Sequence, residues 1–131
     1  MCERSKFKQE ITFERRQELS KMITEKYHGK FPIIAEPYKS TDPILTRKKF
    51  LASPYTSMHK MIIEIRKNMQ QLDSNTNLCF YVIGKDDNIN TGISNNMILL
   101  SLSTNIGGLY DQYKDEDGFL YIIYTIENVF G

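Results

Sequence analysis

Gly131, the last residue of the sequence, carries the group best placed for chemistry. The apolar stretch FLYIIYTI, followed by ENVFG, predicts a strand that leads into an extended tail. Because glycine has no Cβ, its carboxylate is sterically open and can enter a narrow enzyme channel in backbone conformations that other residues rarely adopt. Another enzyme could activate this carboxylate as an adenylate and then as a thioester, which an amine would attack. Either the terminal glycine reflects chance or truncation of the sequence, or its carboxylate is an acyl donor on which other enzymes act.

The other candidates for chemistry are weaker. Cys79 and His59 could form a nucleophilic pair only if folding brings them together, and Cys79 lies in the most apolar predicted strand, where a thiol is typically inert. The DEDG sequence resembles part of a calcium loop. With Gly118 in the glycine position of that loop, however, Tyr113 and Tyr124 fall at its first and last positions, where carboxylates are required. We therefore expect no catalytic activity, no metal site and no cofactor.

The composition is typical of an ordinary globular domain. The chain has 131 residues, of which 40% are hydrophobic and 25% charged, and its net charge of +1 gives no argument for nucleic-acid binding. Two cysteines are too few for a disulfide framework, so a reducing, cytoplasmic location is expected. The longest apolar run, Met97 to Leu100, is far shorter than the roughly 20 residues of a membrane helix.

A helix is predicted near the start of the chain. Thr12 is a plausible N-cap, and Gly29 and Pro32 end the helix beyond Tyr27. Before it, residues 3–10 are highly charged and could form a helical turn or two. The apolar residues expected near one side of the longer helix are Phe13, Leu19, Met22, Ile23 and Tyr27.

The rest of the chain alternates between strand and helix patterns. Strands are predicted in residues 31–36 and 47–52, joined by the turn sequence YKSTDP as a hairpin. Apolar residues from Met58 to Met69 recur at helical spacing behind Thr56 or Ser57, which predicts an amphipathic helix with an N-cap. The segment MILLSLS does not distinguish a strand from a helix. The remaining predicted elements are a strand in residues 78–84, a short helix in residues 104–113 and a strand in residues 118–125.

This order of elements predicts an α+β domain. A hairpin, a helix that crosses one face and two further strands is the order of a β-grasp sheet, with a helical piece appended at the N-terminus. The pattern alone supports the class α+β, and the β-grasp topology is a hypothesis at this point.

Several segments resemble one known family. They are YKDEDGFLYIIYTIENVFG at the end, FERRQELSKMITEKY near the start, and KFPIIAE, RKKFL and the IRK that closes the long helix. Over about Phe13 to Gly131 the chain resembles the autophagy-related ubiquitin-like modifiers, which include microtubule-associated light chain three and the GABA-receptor-associated protein. The resemblance implies a ubiquitin-like β-grasp with a four-stranded mixed sheet, a central helix and two N-terminal helices. Residues 1–131 would form a single domain, with a helical extension in residues 1–29, a core in residues 30–126, an insertion loop in about residues 82–95 and a conjugation tail in residues 127–131.

The resemblance also implies a function for the tail. Gly131 would be activated by a ubiquitin-like activating enzyme, passed to a conjugating enzyme and joined to the amine of phosphatidylethanolamine, and a cysteine protease would process or deconjugate it. The lipid would bring a cytoplasmic, monomeric protein to the autophagosome membrane. Two acyl chains anchor stably, whereas one chain is marginal at about 0.8 kcal/mol per buried CH₂.

A second implied function is the binding of short aromatic-x-x-aliphatic peptides on cargo receptors. An extended peptide would add itself to the strand edge at residues 49–52 while two of its side chains enter pockets. The implied aromatic pocket is lined by Leu19, Ile23, Pro32, Ile34, Lys49, Leu51 and Phe119. The implied aliphatic pocket is lined by Phe50, Ala52, Tyr55, Met58, Met61 and Ile65. Acidic residues that flank the peptide motif would meet Lys30, Arg47 and Lys48.

Alternatives remain for these residues. Each pocket residue could simply pack in the core, and the sequence does not separate these roles for Ile34 or Met61, whereas a surface role is expected for Phe50 and Lys49. A module that binds peptides but is never conjugated is the alternative function. The positions that depart from the family pattern are Leu19, Ala52, Ser53, His28, Gly29, Glu64 and Asn68.

Overall fold

Two helices at the N-terminus begin at side-chain caps. A computed structural model of the chain describes residues 5–70, 72–73, 75–84 and 97–127. Helix α1 (Lys6–Glu10) begins at Ser5, whose hydroxyl accepts a hydrogen bond from the Lys8 amide. Helix α2 (Phe13–Lys26) begins at Thr12, whose hydroxyl accepts from the Arg15 amide at 3.2 Å, as the sequence predicted. Beyond α2, Gly29 has φ of +76° and turns the chain into the sheet.

The buried side of α2 differs from the predicted one. Arg16 and Ser20 are the buried residues of this helix, whereas Phe13, Met22 and Tyr27 are exposed. The apolar periodicity was right for Leu19 and Ile23, which are partly buried against a core cluster, and wrong for the three exposed residues. The helix also packs through polar groups, because Arg16 binds the carboxylate of Asp117 and Ser20 binds its backbone carbonyl.

Among the described residues, a five-stranded mixed sheet forms the centre of the domain. Its spatial order is β2-β1-β5-β3-β4, with β1 and β5 parallel and the other neighbouring pairs antiparallel. This confirms the predicted α+β β-grasp fold but corrects the expected count of four strands. The additional strand, β4, lies within MILLSLS and is too short for its pattern to be recognised. The strands are β1 (Phe31–Pro37), β2 (Lys49–Ala52), β3 (Leu78–Ile83), β4 (Met97–Leu99) and β5 (Leu120–Ile126).

The main core lies between one face of the sheet and two helices. Helix α3 (Met58–Lys67) begins at Ser57, whose hydroxyl accepts from the Lys60 amide, and α4 (Ile106–Tyr113) follows β4. Helix α3 turns Met58, Met61, Ile62 and Ile65 inward, as the helical spacing predicted, whereas Ile63 is exposed. The core residues with the least exposure are Ile33, Met58, Ile65, Ile106, Leu120, Ile122 and Tyr124.

A smaller core on the opposite face holds the N-terminal helices. Phe7 of α1 packs edge-on against Phe119, with ring centroids 5.3 Å apart, and both contact Ile34. Beside them Arg16 Nε donates to Asp117 Oδ2 at 2.8 Å, and the Ser20 hydroxyl donates to the Asp117 carbonyl. The helical extension is thus fixed to the sheet by one aromatic cluster and one buried ion pair.

Some predicted features lie outside the described residues. Residues 82–83 of the predicted insertion belong to β3, and residues 85–95 are not described. Of the predicted tail, only Glu127 is described, so Gly131 has no described position. None of the helices described here has the length and apolar character needed to cross a membrane.

Candidate functional site

One edge of the sheet is formed by β2. Strand β2 pairs with β1 on one side, and no described strand covers its other side. The register places Lys49 opposite Ile34 and Leu51 opposite Pro32. Because side chains alternate along a strand, Lys49 and Leu51 point to the face that carries the N-terminal helices. An extended chain that approached this edge would find both free backbone groups and exposed side chains.

A cavity of about 200 Å³ opens beside this edge. It lies between the C-terminal end of α2, the start of β1 and the middle of β2. Five residues of the predicted aromatic pocket line it: Ile23, Pro32, Lys49, Leu51 and Phe119. The structure thus brings together residues that are up to about a hundred positions apart in the chain. The complete lining is Ile23, Tyr27, Pro32, Ile33, Lys49, Phe50, Leu51 and Phe119.

Two predicted aromatic-pocket residues lie outside this lining, and three others join it. Ile34 is fully buried in the smaller core, and Leu19 packs against that core from α2. The prediction did not include Tyr27, Ile33 and Phe50. Tyr27 caps the end of α2, where its exposed ring reaches the cavity mouth. The sequence offered one signal for including Tyr27: it is an aromatic residue two positions before Gly29, which ends the helix.

The predicted aliphatic pocket is not an open surface in this structure. Its members other than Tyr55 are buried in the main core, between 0% and 4% exposed. Phe50, for which a surface role was expected, is among them, and its side chain packs in the main core on the opposite face from Lys49 and Leu51. Tyr55, by contrast, is 85% exposed and lies outside the core. The buried members are Phe50, Ala52, Met58, Met61 and Ile65.

Basic side chains lie near the β2 edge, and one of them, Lys49, lines the cavity. Lys30, Arg47 and Lys49 are exposed, and Lys48 is half-buried. Arg47 lies over the Phe50 ring at 4.7 Å and extends towards Glu64, with Nη2 3.9 Å from the carboxylate oxygen. Glu64 thus already contacts one of the cations expected to meet acidic ligands.

Phe119 is placed in the cavity wall by the turn before β5. The Asp117 carboxylate accepts from the Phe119 amide at 2.8 Å and from the Tyr121 hydroxyl at 2.5 Å. Gly118 has φ of +94°, and a Cβ there would lie 2.3 Å from the Ser20 hydroxyl oxygen. Glycine is therefore required at this close approach to α2.

The ionisable groups around this turn are perturbed. Burial, together with the hydrogen bond to Asp117, raises the pKa of Tyr121, which keeps its hydroxyl protonated as a donor. Burial alone would raise the pKa of Asp115, but hydrogen bonds and the charges of Lys8 and Arg16 outweigh it and lower that pKa. Asp115 therefore stays ionised beside Lys8, with Nζ 2.5 Å from its carboxylate.

Cys79 lies on the other side of the sheet from His59. Its neighbour Phe80 faces the main core below α3, so Cys79 points to the opposite face. His59 belongs to α3, and the sheet therefore separates the two side chains. Cys79 is half-buried, not fully buried as the apolar strand suggested, and it borders a second cavity of about 370 Å³. The described residues contain no cluster of three or more groups able to hold a metal.

Comparisons with known proteins agree with this architecture. The family model described as "Autophagy protein Atg8 ubiquitin like" matches residues 14–131. An autophagy-related protein 8-like protein of Dictyostelium discoideum is 36% identical over 126 residues, which cover 95% of this chain and 92% of that protein. The crystal structure of Trypanosoma brucei ATG8 is 33% identical with a TM-score of 0.79, covering 98% of this chain and 100% of that one.

A further solved structure contains a bound peptide. It is Plasmodium falciparum Atg8 in complex with a Plasmodium falciparum Atg3 peptide, 25% identical with a TM-score of 0.71, covering 92% of this chain and 95% of that one. Together with the β-grasp sheet and its N-terminal helices, these matches show that the chain belongs to the Atg8 family of ubiquitin-like autophagy proteins.

Proposed function

We propose that this protein is a modifier joined through Gly131 to phosphatidylethanolamine on autophagosomal membranes, where it recruits receptors that carry aromatic-x-x-aliphatic peptides. Membership of the Atg8 family supports the conjugation. The observation that carries peptide binding is the cavity of about 200 Å³ beside the edge of β2. It combines an apolar wall, a free strand edge and flanking cations in one place.

The cavity suits the aromatic side chain of the peptide. Pro32, Leu51 and Phe119 give it apolar walls, and Lys49 stands at its rim. A peptide backbone paired with β2 would direct alternate side chains to this face of the sheet. Burial of one aromatic and one aliphatic anchor contributes about 1.5 to 3 kcal/mol each. Strand hydrogen bonds add to this and ordering costs subtract from it, so we expect an affinity on the order of micromolar.

The aliphatic anchor requires a local change. Phe50, Met58 and Met61 fill the main core, so a side chain inserted between them would displace at least one. We propose that the anchor reaches this set through outward movement of Phe50, which lies in the edge strand β2 and packs in the main core with Arg47 over its ring. A change of side-chain rotamer at an interface is common on binding.

The proposed partners of the tail are enzymes. An activating enzyme forms the thioester, a conjugating enzyme transfers the acyl group, and a cysteine protease processes or releases the product. The Plasmodium complex supports the conjugating enzyme, because there an Atg8 protein binds an Atg3 peptide. The chain itself acts as the substrate of these steps, first cytoplasmic and then attached to the membrane through the lipid.

Reconstitution tests the conjugation directly. The protein is incubated with activating enzyme, conjugating enzyme, ATP and liposomes that contain phosphatidylethanolamine. The expected result is a lipidated product from the native chain and none from Gly131→Ala. Gly108→Ala is the matched control, because Gly108 lies in α4 with open space around its Cα and its change should leave the yield unaltered. An undiminished product from Gly131→Ala would refute the proposal.

The cavity also supports a second function, a peptide-binding module that is never conjugated. Every wall of the cavity comes from described residues that precede the tail, so peptide binding does not depend on Gly131. Titration with an aromatic-x-x-aliphatic peptide distinguishes the two. Binding by the native chain combined with failed lipidation would favour the module, whereas success in both assays favours the modifier.

A further inference from the structure

The end of β5 continues beyond the strand that supports it. Strand β1 pairs with β5 only as far as Pro37, opposite Tyr124. The Tyr38 amide then donates to the Tyr124 carbonyl at 2.8 Å, and the chain turns away. On this side of β5 the next amide is that of Ile126, since alternate residues face the same neighbour. This amide therefore lacks a strand partner where the tail is about to begin.

The Asp42 carboxylate takes the place of that strand. Its Oδ1 accepts from the Ile126 amide at 3.0 Å and from the Thr125 hydroxyl at 3.0 Å. Its Oδ2 accepts from the Lys39 amide at 2.7 Å, which closes the turn that carries Asp42 itself. Asp42 is only 5% exposed, so these donors replace the water that a carboxylate would otherwise bind.

The other side of β5 is held over the same residues. Ile126 pairs with Leu78 of β3, and the Glu127 amide donates to the Asn77 carbonyl at 2.9 Å. Asp42 and β3 thus hold the chain from both sides as far as Ile126 and Glu127. The four residues after Glu127 span at most about 14 Å when fully extended.

We infer that Asp42 is a positioning residue for the C-terminal acyl donor: its buried carboxylate clamps the end of β5 and so fixes where the tail to Gly131 begins. This inference rests on the proposed conjugation through Gly131. Without the clamp, Ile126 would lose its bond on the β1 side. An enzyme would then have to order about one more residue before it could act on the carboxylate, which costs backbone entropy. We expect a fall of roughly tenfold in kcat/KM for thioester formation.

The experiment combines hydrogen exchange with kinetics on the full chain. Amide exchange of Ile126 is measured by NMR, and thioester formation is measured with activating enzyme and ATP. In Asp42→Ala we expect faster exchange at Ile126 and the roughly tenfold loss, with exchange at Ile122 in the middle of β5 unchanged. Asp42→Asn keeps an oxygen for the Ile126 amide and should restore most of the rate. Thr125→Val removes one donor only and should have a smaller effect.

A control separates positioning from general stability. Ile106→Val removes one methyl group from the main core, far from the clamp in the chain, and should leave thioester formation unchanged. A rate for Asp42→Ala equal to the native rate would overturn the inference, as would an equal loss in Ile106→Val. If the native chain forms no thioester while Asp42 still protects Ile126, the proposed function fails. The positioning role then fails with it, although the hydrogen bonds from Asp42 to the end of β5 would still be confirmed.

Discussion

Replacement of Arg16 by alanine should loosen the whole N-terminal extension. The Arg16 side chain is 9% exposed and its partner Asp117 is fully buried, with Nε and Oδ2 2.8 Å apart. The guanidinium also donates to the Ile11 carbonyl at 2.6 Å and the Lys8 carbonyl at 3.2 Å, which fixes α1 and the link to α2. Arg16→Ala therefore breaks contacts in both helices at once.

The expected cost follows from the charge that the change leaves behind. Removal of one partner from a buried ion pair typically costs 3 to 5 kcal/mol, because the remaining charge is uncompensated. Asp117 retains hydrogen bonds from the Phe119 amide and the Tyr121 hydroxyl, so we expect the lower end, about 3 kcal/mol. With a urea m-value of about 2 kcal/mol/M, the midpoint of unfolding should fall by about 1.5 M.

The adjacent residue provides a matched control. Arg15 makes the same kind of ion pair with Glu18, but both side chains are more than half exposed, and such pairs contribute less than about 1 kcal/mol. The assay is urea unfolding of Arg16→Ala and Arg15→Ala, followed by hydrogen exchange in α1 and α2. Exchange should accelerate in these helices for Arg16→Ala only. Equal midpoints for the two variants would refute the argument that the buried pair holds the extension in place.

Three further results are expected. Leu51→Asp should weaken binding of an aromatic-x-x-aliphatic peptide by at least tenfold, because it charges the cavity wall; Leu99→Asp, at an exposed leucine of β4, should leave the titration unchanged. Because the folded pKa of Asp115 is lowered, its carboxylate stabilises the fold above about pH 4 and this contribution disappears as pH falls through the folded pKa. Asp115→Asn should therefore be less stable than the native chain at pH 7 in urea titrations, and the difference should shrink towards pH 3. Gly118→Ala should lower the thermal midpoint by several degrees, since its methyl group would collide with Ser20; an unchanged midpoint would show that α2 can move aside.

The sequence predicted the elements whose signal is local. Helix α3 was evident because its apolar residues repeat at helical spacing behind a serine cap, and β5 because its apolar run is long. Strand β4 was ambiguous because three residues are too few to establish a period. The contact face of α2 was predicted only in part: Leu19 and Ile23 do pack against the smaller core, but Arg16 is buried by Asp117, about a hundred residues away, and no local pattern records such a partner.

The candidate site was predicted through the family resemblance, and only in part. Most residues that line the cavity beside β2 were identified. The burial of the predicted aliphatic pocket in the main core was not, because methionines repeat at the same helical spacing in a core and in a pocket. Asp42 was missed because aspartate is common in turns, where it usually needs no further explanation. The three hydrogen bonds that its carboxylate accepts become visible only when the turn is placed against the end of β5.

The mass of the C-terminal peptide from cells tests the central claim most directly. Trypsin cleaves after Lys114 and finds no further Lys or Arg, so residues 115–131 form one peptide that carries Gly131. Membrane-associated protein should yield this peptide with the added mass of phosphatidylethanolamine, located on Gly131 by fragmentation. An unmodified peptide in the membrane-associated protein, or a lipid on any other residue, would contradict the account.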